Sequence, residues 1–321
     1  MKGFLLRIYC ATYNHAHYIT DALKGFVMQQ TDFPFVCNIV DDASVDGTQD
    51  IIQAYLIQNF DLNNGFDSVD KDVDYGHVTF AQHKTNKNCY FAVICLKENH
   101  YSQKKSKMPY LTEWMDTKYI ALCEGDDYWT DPYKLQKQVV FLESHPDFSM
   151  CFHRALIKNE AATPVITTCD KIETKEYFTK DIFPGWVIPT ASVIYRKDVI
   201  DKYPNLNHPE WVKYGDIVIF LKCTHAGRVW GMEDAMSVYR MTTNGAVLKQ
   251  RKESGYMERL CQHYECLLLN FPQIDRQWTN GFIARYYYSV MRHPKGVSDV
   301  LYGFWMVLKH EPRLFVKKVF N

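Results

Sequence analysis

The sequence predicts an α/β fold: a mostly parallel sheet flanked by helices, followed by a helical C-terminal extension. Three observations carry this. Short apolar runs alternate with segments of helical periodicity through the first half of the chain, an order that calls for right-handed crossovers and parallel strands. Several of those runs end in clusters of Asp, Asn, Ser and Thr, as strands do when their C-terminal ends carry a ligand site. Beyond Gln250 the apolar spacing is helical to the end.

Residues 4–11 form a mostly apolar run that ends in Thr12, Tyr13, Asn14 and His15. Tyr18, Ile19, Ala22, Leu23, Phe26 and Val27 then recur at helical spacing, giving strand, loop and helix. A second strand, 35–40, ends in Asp41, Asp42, Ala43 and Ser44 and leads through Asp46, Gly47 and Thr48 to a helix marked by Ile51, Ile52, Tyr55 and Leu56. Asp46 and Gln49 have the spacing of a capping box. Residues 63–75 read as a surface loop, 77–81 as a short third strand and 90–97 as a helix. The lysine-rich stretch 103–107 reads as a loop, either a solvated tip or a phosphate clamp.

A fourth strand begins at Tyr119 and runs into Glu124, Gly125, Asp126 and Asp127. Asp131 and Pro132 offer an N-cap acid and a first-turn proline to a helix over 134–144. A strand at 148–157, an irregular stretch at 161–181, a sheet segment at 186–195 and a late strand at 235–241 follow; Gly215 and Asp216 open an apolar helix over 217–223.

Composition narrows the function. The chain of 321 residues has 37 basic and 37 acidic side chains, so no global field favours nucleic acid. Ten cysteines without a C-x-x-C pair, several inside apolar runs, point to buried thiols in a reducing compartment. No run approaches the roughly 18 apolar residues of a membrane span, which places the protein on the cytosolic side.

The acidic stretch carries the chemistry. Adjacent aspartates at a strand end repel one another, and a fold that holds them close supplies a cation or hydrogen-bond donors. Their hard oxygens suit Mg²⁺ or Mn²⁺, which also bind phosphate oxygens; the alternative is an exposed acidic turn with an N-cap. In a doubly wound sheet the loops that carry Thr12-Tyr13-Asn14, Asp41-Asp42-Ala43-Ser44 and Glu124-Gly125-Asp126-Asp127 meet at one crevice. No G-x-G-x-x-G and no P-loop occurs, so a carboxylate-and-metal route to a diphosphate is what remains. His15 and His17 have no third ligand nearby and read as loop or core residues.

Taken together, Thr-Tyr-Asn after strand one, Asp-Asp-x-Ser-x-Asp-Gly-Thr after strand two and Gly-Asp-Asp-Tyr-Trp-x-Asp-Pro-x-Lys-Leu after strand four resemble the family-2 inverting glycosyltransferases with the Rossmann-like GT-A fold. The likeness covers roughly residues 4–240. It implies a nucleotide-sugar donor and a divalent metal, Mn²⁺ or Mg²⁺, at the crevice. Thr12, Tyr13 and Asn14 would belong to the nucleotide site, with Tyr13 packing on the base; Asp42 would accept from the base N3–H, Asp126 would face the ribose and Asp127 would ligate the metal. Gly215-Asp216 stands where the family places its catalytic base, although Asp216 also suits a helix N-cap; Glu124 would support the site. The sequence departs from the pattern at Ala11, where many relatives have proline or threonine, and after Tyr239-Arg240, where Met241-Thr242-Thr243-Asn244-Gly245 replaces a histidine and glycines.

The resemblance implies a cytosolic enzyme that moves a sugar, most simply from a UDP-sugar, to a glycan or lipid-linked acceptor in surface polysaccharide synthesis. Two alternatives stay open. A sugar nucleotidyltransferase would carry a glycine-rich basic loop after strand one, and residues 12–18 contain neither glycine nor lysine; a non-catalytic sugar-binding subunit could lose Asp127 or Asp216, and both are present. The expected organisation is a catalytic domain over 1–245, with a nucleotide-sugar half to about 130 and an acceptor half to 245, then a helical extension over 246–321. From Trp278 onward apolar and aromatic residues interleave with Arg285, Arg292, Lys309, Arg313, Lys317 and Lys318, which suits either a peripheral contact with the inner face of a membrane or packing on the catalytic domain or a twin subunit.

Overall fold

The computed structural model describes residues 3–63, 68–160, 162–185, 187–203, 205–242 and 253–315. The chain divides into two compact units. One is Met1–Tyr177 with Ile188–Lys202 and Ala226–Thr243; the other is Phe178–Val187 with Tyr203–His225 and Asn244–Asn321. The expected boundary at 245, like Trp186, Thr243, Asn244, Lys317 and Lys318, lies outside the described residues.

Among the described residues the strands all belong to the first unit. They are β1 (Leu6–Thr12), β2 (Phe35–Asp41), β3 (Val69–Val73), β4 (Gly76–Gln82), β5 (Cys89–Leu96), β6 (Tyr119–Leu122), β7 (Tyr128–Trp129), β8 (Phe148–Asn159), β9 (Ile166–Cys169), β10 (Lys175–Tyr177), β11 (Ile194–Arg196) and β12 (Arg228–Met241). The helices in chain order are α1 (Ile19–Val27), α2 (Thr48–Asn59), α3 (Lys134–Ser144), α4 (Thr179–Ile182), α5 (Lys197–Lys202), α6 (Gly215–Ala226), α7 (Tyr256–Asn270), α8 (Arg276–Arg292) and α9 (Val297–His310). The sheet order is β10-β12-β8-β11-β6-β1-β2-β5-β4-β3, with β7 on β12 and β9 on β8. The middle of the sheet, β6-β1-β2-β5, is parallel. From β1 the chain continues to β2 on one side and returns as β6 on the other, so the reversal of strand order falls at β1. Leu6, Ile8, Cys10, Phe35, Cys37, Phe91 and Tyr119 from these strands pack with Ala22, Leu23 and Phe26 of α1 and Ile52 and Leu56 of α2 in one buried core.

Several elements differ from the sequence reading. Residues 90–97 are not a helix: β5 is a wholly buried strand between β2 and β4. A continuous apolar run has no period with which to separate buried strand from buried helix. Residues 69–73, expected in a loop, form an edge strand, whose Asp70, Lys71 and Asp72 need only a backbone ladder to β4 on one side. The irregular stretch 161–181 contains β9, β10 and the first residues of α4, again short elements paired by backbone. Among the described residues of the sheet segment expected at 186–195, only Ile194 and Tyr195 are strand, in β11. Asp131 does not cap α3; it accepts the Tyr133 N–H at 2.7 Å in a turn, and the helix starts at Lys134. The capping box is absent too, because Gly47 in the left-handed region (φ +90°) precedes α2 and Gln49 reaches Asp41 instead.

The second unit has its own core. Val218 and Leu221 of α6, Cys261 and Leu267 of α7, Ile283 and Tyr287 of α8, and Met306 and Val307 of α9 are buried together with Phe183 and Phe271. Asp275 caps α8 by accepting the Trp278 N–H at 2.8 Å. Gly303 lets α9 approach α8 closely, since a Cβ there would stand 2.9 Å from the Tyr287 carbonyl oxygen. No helix of the described residues is long and apolar enough to cross a membrane.

Candidate active site

The loops after β1 and β2 are joined by their own polar side chains. The Asn14 N–H donates to Ser44 Oγ at 2.8 Å and the Val45 N–H to Asn14 Oδ1 at 2.9 Å. His15 N–H donates to Thr48 Oγ1 at 2.9 Å and Ala16 N–H to Asp46 Oδ2 at 3.0 Å. Asn14 and Ala43 take positive φ (56° and 61°), so each loop turns sharply to meet the other. Asp41 anchors the second loop by accepting from the Ser44 N–H and the Gln49 amide. Asn14 therefore positions the loop, and Tyr13 beside it presents an exposed ring.

Asp42 is almost wholly buried and carries three donors. Its Oδ1 accepts the His100 N–H at 2.7 Å; its Oδ2 accepts the Tyr101 N–H at 3.1 Å and faces Lys107 Nζ at 2.9 Å. Burial pushes the Asp42 carboxyl upward, but Lys107 and the two backbone donors outweigh it and hold the group below its ordinary range. Within the basic stretch 103–107, then, Lys107 is neither a solvated tip nor free for phosphate: it pairs with Asp42.

The third loop follows β6. The Gly125 N–H donates to the Ala11 carbonyl at 3.0 Å, and the Asp42 N–H to the Thr12 carbonyl at 3.0 Å, so backbone bonds hold all three loops at the end of β1. Gly125 is required here, since a Cβ would lie 2.6 Å from Thr12 Oγ1 and 3.0 Å from His15 Nδ1. Those two atoms are buried and have no hydrogen-bond partner among the described residues. Asp126 is half-buried, with His15 Nε2 at 3.8 Å from its carboxylate. Asp127 is buried, and the Arg240 N–H donates to its Oδ1 at 2.8 Å. Burial and then the charge of Asp126 push Asp127 well above the usual carboxylate range, against the Arg240 N–H. The Arg240 guanidinium closes the back of the loop: it donates to the Asp126 carbonyl at 2.8 Å, pairs with Asp21, and lies 4.3 Å from the Tyr128 ring centroid.

Thr12, Tyr13, Asn14, Asp42, Asp126 and Asp127 thus all stand on three joined loops of the first unit. Asp216 belongs to the second unit, in the first turn of α6, where its Oδ1 accepts the Ile217 N–H at 2.9 Å. Sequence reasoning missed Arg240 as part of the site and Lys107 as the partner of Asp42. Both come from distant segments, and only the clustering of lysines at 103–107 hinted at either.

A hard divalent cation suits this donor set. Two adjacent carboxylates, one buried and disfavoured as a lone anion, gain from a positive charge beside them. Among the described residues no group of three His, Cys, Asp or Glu converges on one point. An ion of the Mg²⁺ type needs no more than one or two carboxylates when phosphate oxygens and water fill its other positions.

No family model matches the chain. It is 30% identical over 245 residues to the uncharacterised proteins Rv1520 of Mycobacterium tuberculosis and Mb1547 of Mycobacterium bovis, a match covering 75% of this chain. The match spans about 60% of the length of those curated relatives. Among solved structures, S. aureus TarS (residues 1–349) in complex with UDP-GlcNAc is 16% identical with a TM-score of 0.55, over 96% of this chain and 82% of that one. The mannosyltransferase PcManGT from Pyrobaculum calidifontis, in complex with GDP-Man and Mn²⁺, is 12% identical with a TM-score of 0.51, over 99% and 84%. The chain shares the fold of these solved structures. The expected α/β class, with its mostly parallel central sheet and helical C-terminus, is borne out.

Proposed function

We propose that the protein is a metal-dependent inverting glycosyltransferase of family 2, moving a sugar from a UDP-sugar to a hydroxyl of a glycan or lipid-linked saccharide on the cytosolic side of a membrane. The observation that carries this reading is the joining of three loops at the end of β1, which sets Asp42, Asp126 and Asp127 together in a fold whose solved examples hold UDP-GlcNAc and GDP-Man. In this reading residues 1–130 bind the donor and residues 131–245 serve the acceptor.

The exposed Tyr13 ring packs on the base. Asp42 accepts the base N3–H through Oδ1, which among the described residues has one protein donor where Oδ2 has two and so retains acceptor capacity. Asp126 meets the ribose hydroxyls. Asp127, with Asp126 beside it, holds Mn²⁺ or Mg²⁺, which when bound supplies positive charge to the departing diphosphate. Arg240 keeps Asp127 in place through its N–H and ties the loop through the Asp126 carbonyl. Asp216 takes the proton of the acceptor hydroxyl as the new bond to the anomeric carbon forms and the bond to the diphosphate breaks; attack opposite the leaving group inverts the centre.

Calorimetry with UDP, with and without Mn²⁺, tests the donor side. Mn²⁺ should tighten UDP binding in the wild type and have no effect in Asp127→Ala. An unchanged metal effect in the variant would remove Asp127 from this role.

A further inference from the structure

Helix α9 is apolar on more than one side. Gly303, Met306 and Val307 face inward and are buried against the second unit's core. Yet Val297, Val300, Leu301, Phe304, Trp305 and Leu308 recur at helical spacing on the outer side, each between 37% and 76% exposed. Between Val300 and Leu308 there is no charged residue. A helix apolar all round is normally covered on every side, and a contiguous exposed stripe of large side chains marks an interaction surface.

The charges around the stripe identify what covers it. Arg292 and Lys295 precede α9 and Arg313 follows it, all three exposed, while Lys309 in its last turn pairs with Glu265 of α7 and Glu311 comes directly after the helix. Asp299 is the one acid within α9, and it accepts the Lys295 N–H at 2.8 Å. A second copy laid on this stripe, parallel or antiparallel, would set cations of one helix against cations of the other. An anionic lipid surface accepts both ends at once. At 14 residues α9 is about 21 Å long at 1.5 Å per residue, short of the roughly 30 Å hydrocarbon thickness, so it would lie in the interface and not span it. Trp305 and Tyr302, half-exposed on this helix, carry polar atoms suited to the headgroup level.

We propose that the outer face of α9 docks the protein on anionic lipid bilayers, with Leu301, Phe304, Trp305 and Leu308 entering the interface and the flanking Arg292, Lys295 and Arg313 meeting lipid phosphates. This surface shares no residue with the proposed sugar-transfer site, and its docking stands or falls independently of that chemistry.

The test is sedimentation of the full chain with phosphatidylcholine vesicles made with and without phosphatidylglycerol, alongside size-exclusion chromatography with light scattering. The wild type should sediment with the phosphatidylglycerol vesicles, and less as salt is raised. The double variant Leu301→Glu/Trp305→Glu, changed only at exposed positions, should keep its melting temperature and partition at least about tenfold more weakly. Lys295→Glu/Arg313→Glu leaves the apolar stripe intact and should lose the preference for phosphatidylglycerol. A wild type that stays in the supernatant overturns the proposal, as does a Leu301→Glu/Trp305→Glu variant that partitions like wild type. A wild-type dimer that this variant dissociates, with no vesicle binding by either, would assign the face to a second copy.

Discussion

Lys107 Nζ stands 2.9 Å from Asp42 Oδ2, with Lys107 half-buried and Asp42 almost wholly so. The pair pins the stretch that follows β5 over the end of β2, and it leaves Oδ1 of Asp42 as the oxygen with acceptor capacity to spare.

Nucleobase choice follows from that oxygen. Uracil presents an N3–H that Asp42 can accept, whereas the bare N3 of cytosine would set two acceptors face to face, a buried mismatch of about 1–3 kcal/mol. UDP should therefore displace a bound nucleotide at least about tenfold better than CDP. Equal competition by CDP would remove Asp42 from base recognition.

Lys134 gives a stability prediction independent of activity. Its ammonium is fully buried, has no hydrogen-bond partner among the described residues and lies 4.0 Å from the Trp129 ring centroid. Burial pushes its pKa down to about 7, with Cys123 and Cys151 opposing. Between that value and the unfolded value of about 10.4 the unfolded chain binds more protons, so this group makes stability rise with pH, by at most about 1.4 kcal/mol per unit. In urea unfolding at pH 7, 8 and 9, Lys134→Met should show a smaller rise, or a steeper fall, than wild type. Identical pH slopes would contradict the assignment.

Asp216→Asn separates a base from a cap. Asparagine retains the size and can still accept the Ile217 N–H, so UDP binding and melting temperature should hold. Turnover with the acceptor should fall by about 10²-fold or more, the usual contribution of a positioned base. A loss under about threefold would remove Asp216 from the mechanism, leaving Glu210, Glu233 and Asp234 to be tested.

Much of the three-loop cluster at the end of β1 was legible in the sequence because its parts are local. β1, β2 and β6 each end directly in the residues they present, so strand and site read as one pattern. What escaped was decided by distant pairing. β5 looked helical because a run buried on both faces shows no alternation. Lys107 stands in a lysine-rich stretch and Arg240 in a late strand, and only the fold brings one to Asp42 and the other to Asp127. Asp46 and Gln49 fitted a capping box by spacing, but Asp46 joins the two loops and Gln49 reaches Asp41.

Donor hydrolysis tests the central claim most directly. The purified chain, incubated with Mn²⁺ and a panel of nucleotide sugars without acceptor, should slowly release UDP from one UDP-sugar, and Asp127→Ala should abolish the release. No nucleotide diphosphate released from any donor, or release that Asp127→Ala leaves unchanged, would contradict the account.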